Sequence, residues 1–144
     1  MADLDSRRDT AQRVRPLDWV VVGAGVAMFA VSFLPWYSIS VMLLGSEEID
    51  AWHSGWPAIL AVLLSMVASA LWLVYRLSGA DVPRAALIPL LAALAAAALI
   101  VLRWVTGPTV EGLMSAGPVG GLFAGLLIAI VQALAALFTL RPRR

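Results

Sequence analysis

A chain of 144 residues that is 62% hydrophobic and 13% charged, with a mean hydropathy of +0.92, lies outside the roughly 45–50% apolar and 25% charged range of soluble domains. It reads as an integral membrane protein of a few short-looped spans, with no room for a separate soluble enzyme domain. A net charge of +1 gives no nucleic-acid signal, and the lack of cysteine excludes disulfide frameworks, thiolate nucleophiles and sulfur-bound zinc.

Residues 1–18 set Arg7, Arg8, Arg13 and Arg15 against Asp3, Asp5, Asp9 and Asp18. Too little of this segment is apolar for it to fold alone, so it reads as a mobile cytoplasmic tail. Arg7-Arg8 is not a twin-arginine signal, because Asp9 and Thr10 follow where apolar residues are needed. Apolar runs then cover 19–36, 57–75, 85–104 and 119–140. Each is close to the about 20 residues that cross a hydrocarbon core of about 30 Å. The first run, behind its basic flank, also has the outline of a signal peptide, with Ser38-Ile39-Ser40 at a cleavage spacing; it is expected to stay as a span. Pro35 marks the outer end of the first span, and Pro57 opens the second where a first helical turn tolerates it. The expected fold is all-α, an integral membrane four-helix transmembrane bundle with antiparallel neighbours. The links are an outer loop over 37–56, a turn over 76–84, a second outer link over 106–118 and a basic tail over 141–144.

All ten basic residues are arginine, which suits a GC-rich bacterial genome, and nine of them flank one side of these spans. Only Arg103 falls on the other side, so both termini are expected in the cytoplasm and the chain in the plasma membrane. Glu47, Glu48, Asp50 and Glu111 make the outer face acidic. Trp36, Tyr37, Trp52, Trp56 and Trp104 at the outer boundary, with Trp19, Trp72 and Tyr75 at the inner one, fit the aromatic belts of a membrane protein.

The interiors of the four runs carry no Asp, Glu, His, Lys or Arg. Ion-coupled transporters and proton relays need such a group within the bilayer, so this chemistry is not expected here. Gln132 is the one strongly polar residue deep in a span; it is expected to bond across helices to Ser65 or Ser69. Ser32, Ser65, Ser69 and Thr139 can bond carbonyls of their own helices and have no base beside them. Gly117, Gly121, Gly125, Ala129 and Ala133 recur every four residues and predict a small-residue groove on the fourth span, packed either inside the bundle or against another subunit. Gly23 and Ala27 form a shorter version on the first span.

In the outer loop, three loose acids and His53 do not reach the donor sets of calcium or zinc and read as a solvated acidic face. Ile39, Val41, Met42, Leu43 and Leu44 make the segment 38–44 too apolar for a free loop. It lies on the membrane, on a partner or on the outer end of the bundle itself. Arg103 can reach lipid phosphates or pair with Glu47, Glu48 or Asp50. Trp36, Tyr37, Glu47, Glu48, Asp50, Trp52, His53 and Trp56 are the expected partner contacts.

Phe33-Leu34-Pro35-Trp36-Tyr37 at the end of a first span, followed by an outer loop that closes with Ala51-Trp52, resembles a pattern in small four-span membrane proteins of actinobacteria. The resemblance covers about twenty-five residues plus the topology; it implies a cell-envelope setting and brings no catalytic residues. The four-span plan with a tryptophan-bearing first loop is also similar to claudins in topology alone, because the paired loop cysteines of that family are missing here. The expected function is a non-enzymatic accessory or scaffolding subunit of an envelope complex. Such a subunit would bind membrane lipids and another membrane protein or a second copy of itself, with no cofactor and no nucleic acid. A small homo-oligomeric carrier or pore for a lipid or other apolar molecule, without ion coupling, is the alternative.

Overall fold

A computed structural model describes residues 15–78, 87–108, 112 and 114–141. The N-terminal tail before Arg15, most of the arginine-bearing link with Arg84, Glu111, and Arg143 and Arg144 lie outside the described residues. The elements in order are α1 (Pro16–Val31), β1 (Tyr37–Val41), β2 (Gly45–Ile49), α2 (Trp56–Leu77), α3 (Leu87–Thr106), β3 (Met114–Pro118) and α4 (Gly120–Leu140). The molecule is therefore mostly helical, as expected, but it is not purely all-α. A three-stranded sheet caps one end of the four helices.

Three helices, α2, α3 and α4, are long and apolar enough to cross a membrane. α1 is shorter than the 19–36 run, with 16 residues, or about 24 Å at 1.5 Å per residue. Its end has a local cause. The ring of Pro35 would collide with the carbonyl four residues earlier, that of Val31, so the helix stops there. The Val31 carbonyl instead accepts from Trp36 Nε1 at 3.0 Å, which folds Trp36 back into the core. At its other end α1 starts before the expected boundary. Pro16 opens the first turn, and Asp18 lies within the helix rather than in a tail.

Each helix packs against its sequence neighbours, and α1 closes the ring against α4. The interior holds Met28, Trp36, Ala58, Ala61, Val62, Ala96, Ile100, Leu122 and Ala129. Val26, Leu63, Val67, Leu91, Leu127 and Leu134 are turned outward and exposed, a perimeter suited to lipid rather than water. Across the axis, Ser65 Oγ donates to Gln132 Oε1 at 2.7 Å, and Gln132 Nε2 donates to Ser69 Oγ at 2.8 Å and to the Ser65 carbonyl at 3.0 Å. Ser69 Oγ donates in turn to the Val21 carbonyl at 2.8 Å, so the network ties α1, α2 and α4 together.

Glycine sets the close approaches. A Cβ on Gly121 would run into the Pro35 carbonyl and lie 2.8 Å from Trp36 Cδ1; on Gly125 it would lie 2.9 Å from Trp36 Cζ2. The small-residue groove of α4 thus packs inside the bundle, with Trp36 as its occupant and Ala129 buried below. Gly117 does not belong to that groove, because it sits in β3 with open space around it. On α1 the close-packed glycine is Gly25, against Ser69, whereas Gly23 faces nothing within 4 Å.

Candidate functional site

The sheet is built from the stretches expected as loops, 37–56 and 106–118. Tyr37-Ser38-Ile39-Ser40-Val41 alternates polar and apolar residues, the period of a half-buried strand. β1 is the central strand, antiparallel to both neighbours. Tyr37 opposes Ile49 and Pro118 at the base, and Val41 opposes Gly45 and Met114 at the tip. Residues 38–41 of the apolar segment 38–44 thus lie in the central strand, while Met42, Leu43 and Leu44 turn at its tip and are exposed. That tip follows roughly 13 Å of strand from Tyr37 at the usual rise per residue. Leu43 is fully exposed at φ +138°, a conformation that costs a non-glycine residue of order 1–3 kcal/mol.

The base of the sheet is fixed to the helices by main-chain bonds. Trp36 N–H donates to the Ile49 carbonyl at 2.7 Å, and Val119 N–H donates to the Trp36 carbonyl at 2.9 Å. Gly121 N–H donates to the Pro35 carbonyl at 2.9 Å, meeting one of the donors that a helix N-terminus leaves free. Tyr37 Oη donates to the Arg103 carbonyl at 2.6 Å, and the Arg103 guanidinium lies 5.0 Å from the Tyr37 ring centre. Burial holds the Tyr37 hydroxyl above its usual value of 10.0 against the opposing pull of Arg103, so it stays a neutral donor.

These contacts divide the expected partner residues. Trp36 and Tyr37 are buried and hold the fold, so they are not surface contacts. Trp52 is half-buried; its Nε1 donates to Ser32 Oγ at 3.0 Å and its ring lies 6.2 Å from that of Phe33. Glu47, Glu48, His53 and Trp56 are exposed, and Asp50 is partly covered. Among the described residues Arg103 pairs with no acid, Glu47, Glu48 and Asp50 included; its Nη1 donates to the Gly107 carbonyl at 2.8 Å instead. Asp50 Oδ1 accepts from the His53 N–H at 3.0 Å and lies 2.7 Å from His53 Nδ1. Burial alone would raise the Asp50 carboxyl, but the His53 bonds and charge and the Trp52 backbone outweigh it and hold the group below the ordinary 3.8. Among the described residues no group of three or more His, Asp or Glu side chains is placed to hold a metal ion.

Between β2 and the turns at Phe33–Pro35 and Asp50–His53 lies a cleft of about 520 Å³, lined by Phe33, Pro35, Ile49, Glu47, Glu48, Asp50 and His53. That volume falls within the roughly 300–1,000 Å³ of ligand sites. The acids are legible in the sequence, whereas their approach to Phe33 and Pro35 comes only from the pairing of β1 with β2. Period-2 alternation in 37–41 was the signal that could have placed them there.

A second cluster lies at the opposite end. Asp18 Oδ1 pairs with Arg76 Nη2 at 2.8 Å and accepts from Trp72 Nε1 at 3.1 Å, while Asp18 Oδ2 accepts from the Arg15 N–H at 2.8 Å. The Arg76 guanidinium lies over Trp72 and Tyr75. Beside it Trp19, Val22, Leu73 and Leu77 border an apolar cleft of about 150 Å³. Comparison of the chain with known families, with curated proteins and with solved structures gives no match.

Proposed function

We propose that this chain is a non-enzymatic accessory or scaffolding subunit of a bacterial cell-envelope membrane complex. It spans the plasma membrane four times with both termini in the cytoplasm, so the sheet faces outward. The nine-to-one arginine bias supports that orientation, and the apolar perimeter of the bundle supports a lipid surround. The actinobacterial setting comes from the Phe33–Tyr37 and Ala51-Trp52 resemblance.

The observation that carries the reading is where polar chemistry is satisfied and where it is not. Along the axis Ser65, Ser69 and Gln132 satisfy one another, and no acid, base or metal site stands among them. At the sheet end, among the described residues, the outer edge of β2 has no strand partner, Met42, Leu43 and Leu44 are exposed, and Glu47 and Glu48 have no cationic partner. That combination suits recognition of another protein more than a reaction. A lipid carrier is the second reading, favoured by the apolar cleft at Trp19 and Leu73. A path through the single bundle would have to displace Trp36, Met28 and Gln132, which are buried across it.

The test is extraction of the tagged protein from its own membranes in native lipid, followed by mass spectrometry of co-purifying proteins and lipids. The accessory role predicts a stoichiometric protein partner that is lost in Trp56→Ala with Leu43→Ser, two exposed positions. A homo-oligomer alone with one enriched lipid would instead favour the carrier.

A further inference from the structure

At the Asp18 end the ion pair leaves a guanidinium neutralised but not saturated. Arg76 Nη2 meets Asp18 Oδ1 at 2.8 Å, Nε is buried with no hydrogen-bond partner, and Nη1 makes no bond among the described residues. A guanidinium has more donors than one carboxylate oxygen uses, and the Arg76 side chain is 30% exposed. The Asp18 side chain is 3% exposed, and its oxygens are taken by Arg76, Trp72 Nε1 and the Arg15 N–H. Beside Arg76 the cleft of about 150 Å³ follows the seam of α1 and α2, lined by Val22 and Trp72 and bordered by the exposed Trp19, Leu73 and Leu77. Trp72 packs on Val21, Leu90, Ala135 and Ala136 behind it, so the cleft opens away from the bundle interior.

We infer that this seam seats one anionic phospholipid of the cytoplasmic leaflet, with its phosphate on the free edge of Arg76 and an acyl chain in the cleft. It requires the membrane orientation proposed above but not the accessory role. The medium selects the chain. Trp19, Leu73 and Leu77 are exposed on apolar helices, and in a bilayer the apolar groups that reach such a surface are acyl chains. About 150 Å³ is the size of an apolar cavity that takes one benzene-sized group, so the cleft holds a few methylenes of one chain rather than a whole soluble ligand. Charge selects the head. Among the described residues of this end Arg15, Arg76 and Arg141 stand against Asp18 alone, and that carboxylate is buried and already used. A cationic rim over an apolar seam between spans, on the cytoplasmic side, is what anionic headgroups recognise. A peptide is disfavoured, because the lining offers its backbone no side-chain acceptor beyond the occupied Asp18. The lipid ties α1, the shortest of the four helices, to α2.

The test uses the full chain in a neutral detergent, titrated with phosphatidylglycerol or with phosphatidylcholine of the same acyl chains and read by native mass spectrometry and by melting. Phosphatidylglycerol is expected to bind one per chain, about fivefold more tightly than phosphatidylcholine, and to raise the melting point. Inorganic phosphate should neither compete nor stabilise. Leu73→Trp sets a ring in the cleft from an exposed position, and phosphatidylglycerol binding should fall about fivefold. In Asp18→Asn with Arg76→Gln the pair is removed together, so no buried charge is stranded, and the preference for phosphatidylglycerol should vanish. Leu73→Trp decides if that paired variant fails to fold. Equal binding of the two lipids by the native chain, or undiminished phosphatidylglycerol binding in a folded Leu73→Trp, would overturn the site. Displacement by inorganic phosphate would overturn it too, by making the occupant a free anion. Sidedness is read separately. Ser78→Cys, in a chain with no other cysteine, should resist a membrane-impermeant thiol reagent in intact cells and react once they are permeabilised. Labelling of intact cells would overturn the cytoplasmic leaflet and the proposed orientation together, whereas a failed lipid titration leaves that orientation and the accessory role standing.

Discussion

At one end of the bundle Arg76 lies over an aromatic ring and is met by the buried carboxylate of Asp18; at the other, Arg103 lies over an aromatic ring and is met by a main-chain carbonyl. Trp72 at the first end donates to that carboxylate, while Trp36 at the second donates to a helix carbonyl. The parts match, but the acids are placed differently. At the Asp18 end the carboxylate is used within the molecule, so its charge is cancelled where it stands. At the sheet end Arg103 Nη1 donates to the Gly107 carbonyl while its Nε is buried without a partner, and among the described residues Glu47 and Glu48 have no cationic partner. An ion pair inside a membrane protein fixes structure; an unmatched acidic edge is available for recognition.

The largest expected effect comes from breaking the anchor of the sheet end. Gly121→Leu forces a side chain into Pro35 and Trp36, whose backbone cannot retreat without pulling the sheet off the bundle. The expected loss is about 3 kcal/mol, read as a lowered melting point in detergent with loss of the near-ultraviolet dichroism of Trp36. Asp18→Ala strips the opposite end of its charge partner and leaves the Trp72 and Arg15 N–H groups without acceptors. The expected loss is about 2 kcal/mol, below that of a fully buried pair because Arg76 is 30% exposed. If Asp18→Ala leaves the melting point unchanged, the contrast between the two ends fails.

Gln132→Leu removes the polar tie that both ends share. Ser65 and Ser69 can then turn to carbonyls of their own helix, so the expected loss is about 1 kcal/mol, measured in the same melts. The smallest effect follows pH. The Asp50 carboxyl has a folded-state pKa below its unfolded value, so its stabilisation is present above the unfolded pKa and is lost as pH falls through the folded one. Melting points of the native chain should therefore drop below about pH 3.8 more steeply than those of Asp50→Asn. Parallel curves would show that the His53–Asp50 turn contributes nothing.

Hydropathy made the three long helices legible, because a lipid-crossing helix needs little beyond length and apolarity. Gln132 was legible for a related reason. A lone amide among apolar residues must find a partner, and Ser65 and Ser69 were the polar groups within reach, on the span across the bundle axis. The end of α1 was not legible, since Phe33 and Leu34 continue the apolar run past the point where Pro35 stops the helix. β1 carried a readable alternation that the surrounding membrane signal masked. β3, Met114-Ser115-Ala116-Gly117-Pro118, carries no strand signal at all; α3 and α4 hold it beside β1, and pairing does the rest. Asp18 sat in a charged tail by composition, and only the antiparallel packing of α1 on α2 brings it to Trp72 and Arg76.

The most direct test of the claim that the sheet end is the docking end is photo-crosslinking in living cells, with a photoreactive amino acid placed at Ser46 on the β2 edge or at the exposed Leu77 of the opposite end. The account predicts a discrete heavier adduct with another protein from position 46 and none from position 77. An adduct from position 77 alone, or an adduct at 46 that consists only of this chain, would contradict it.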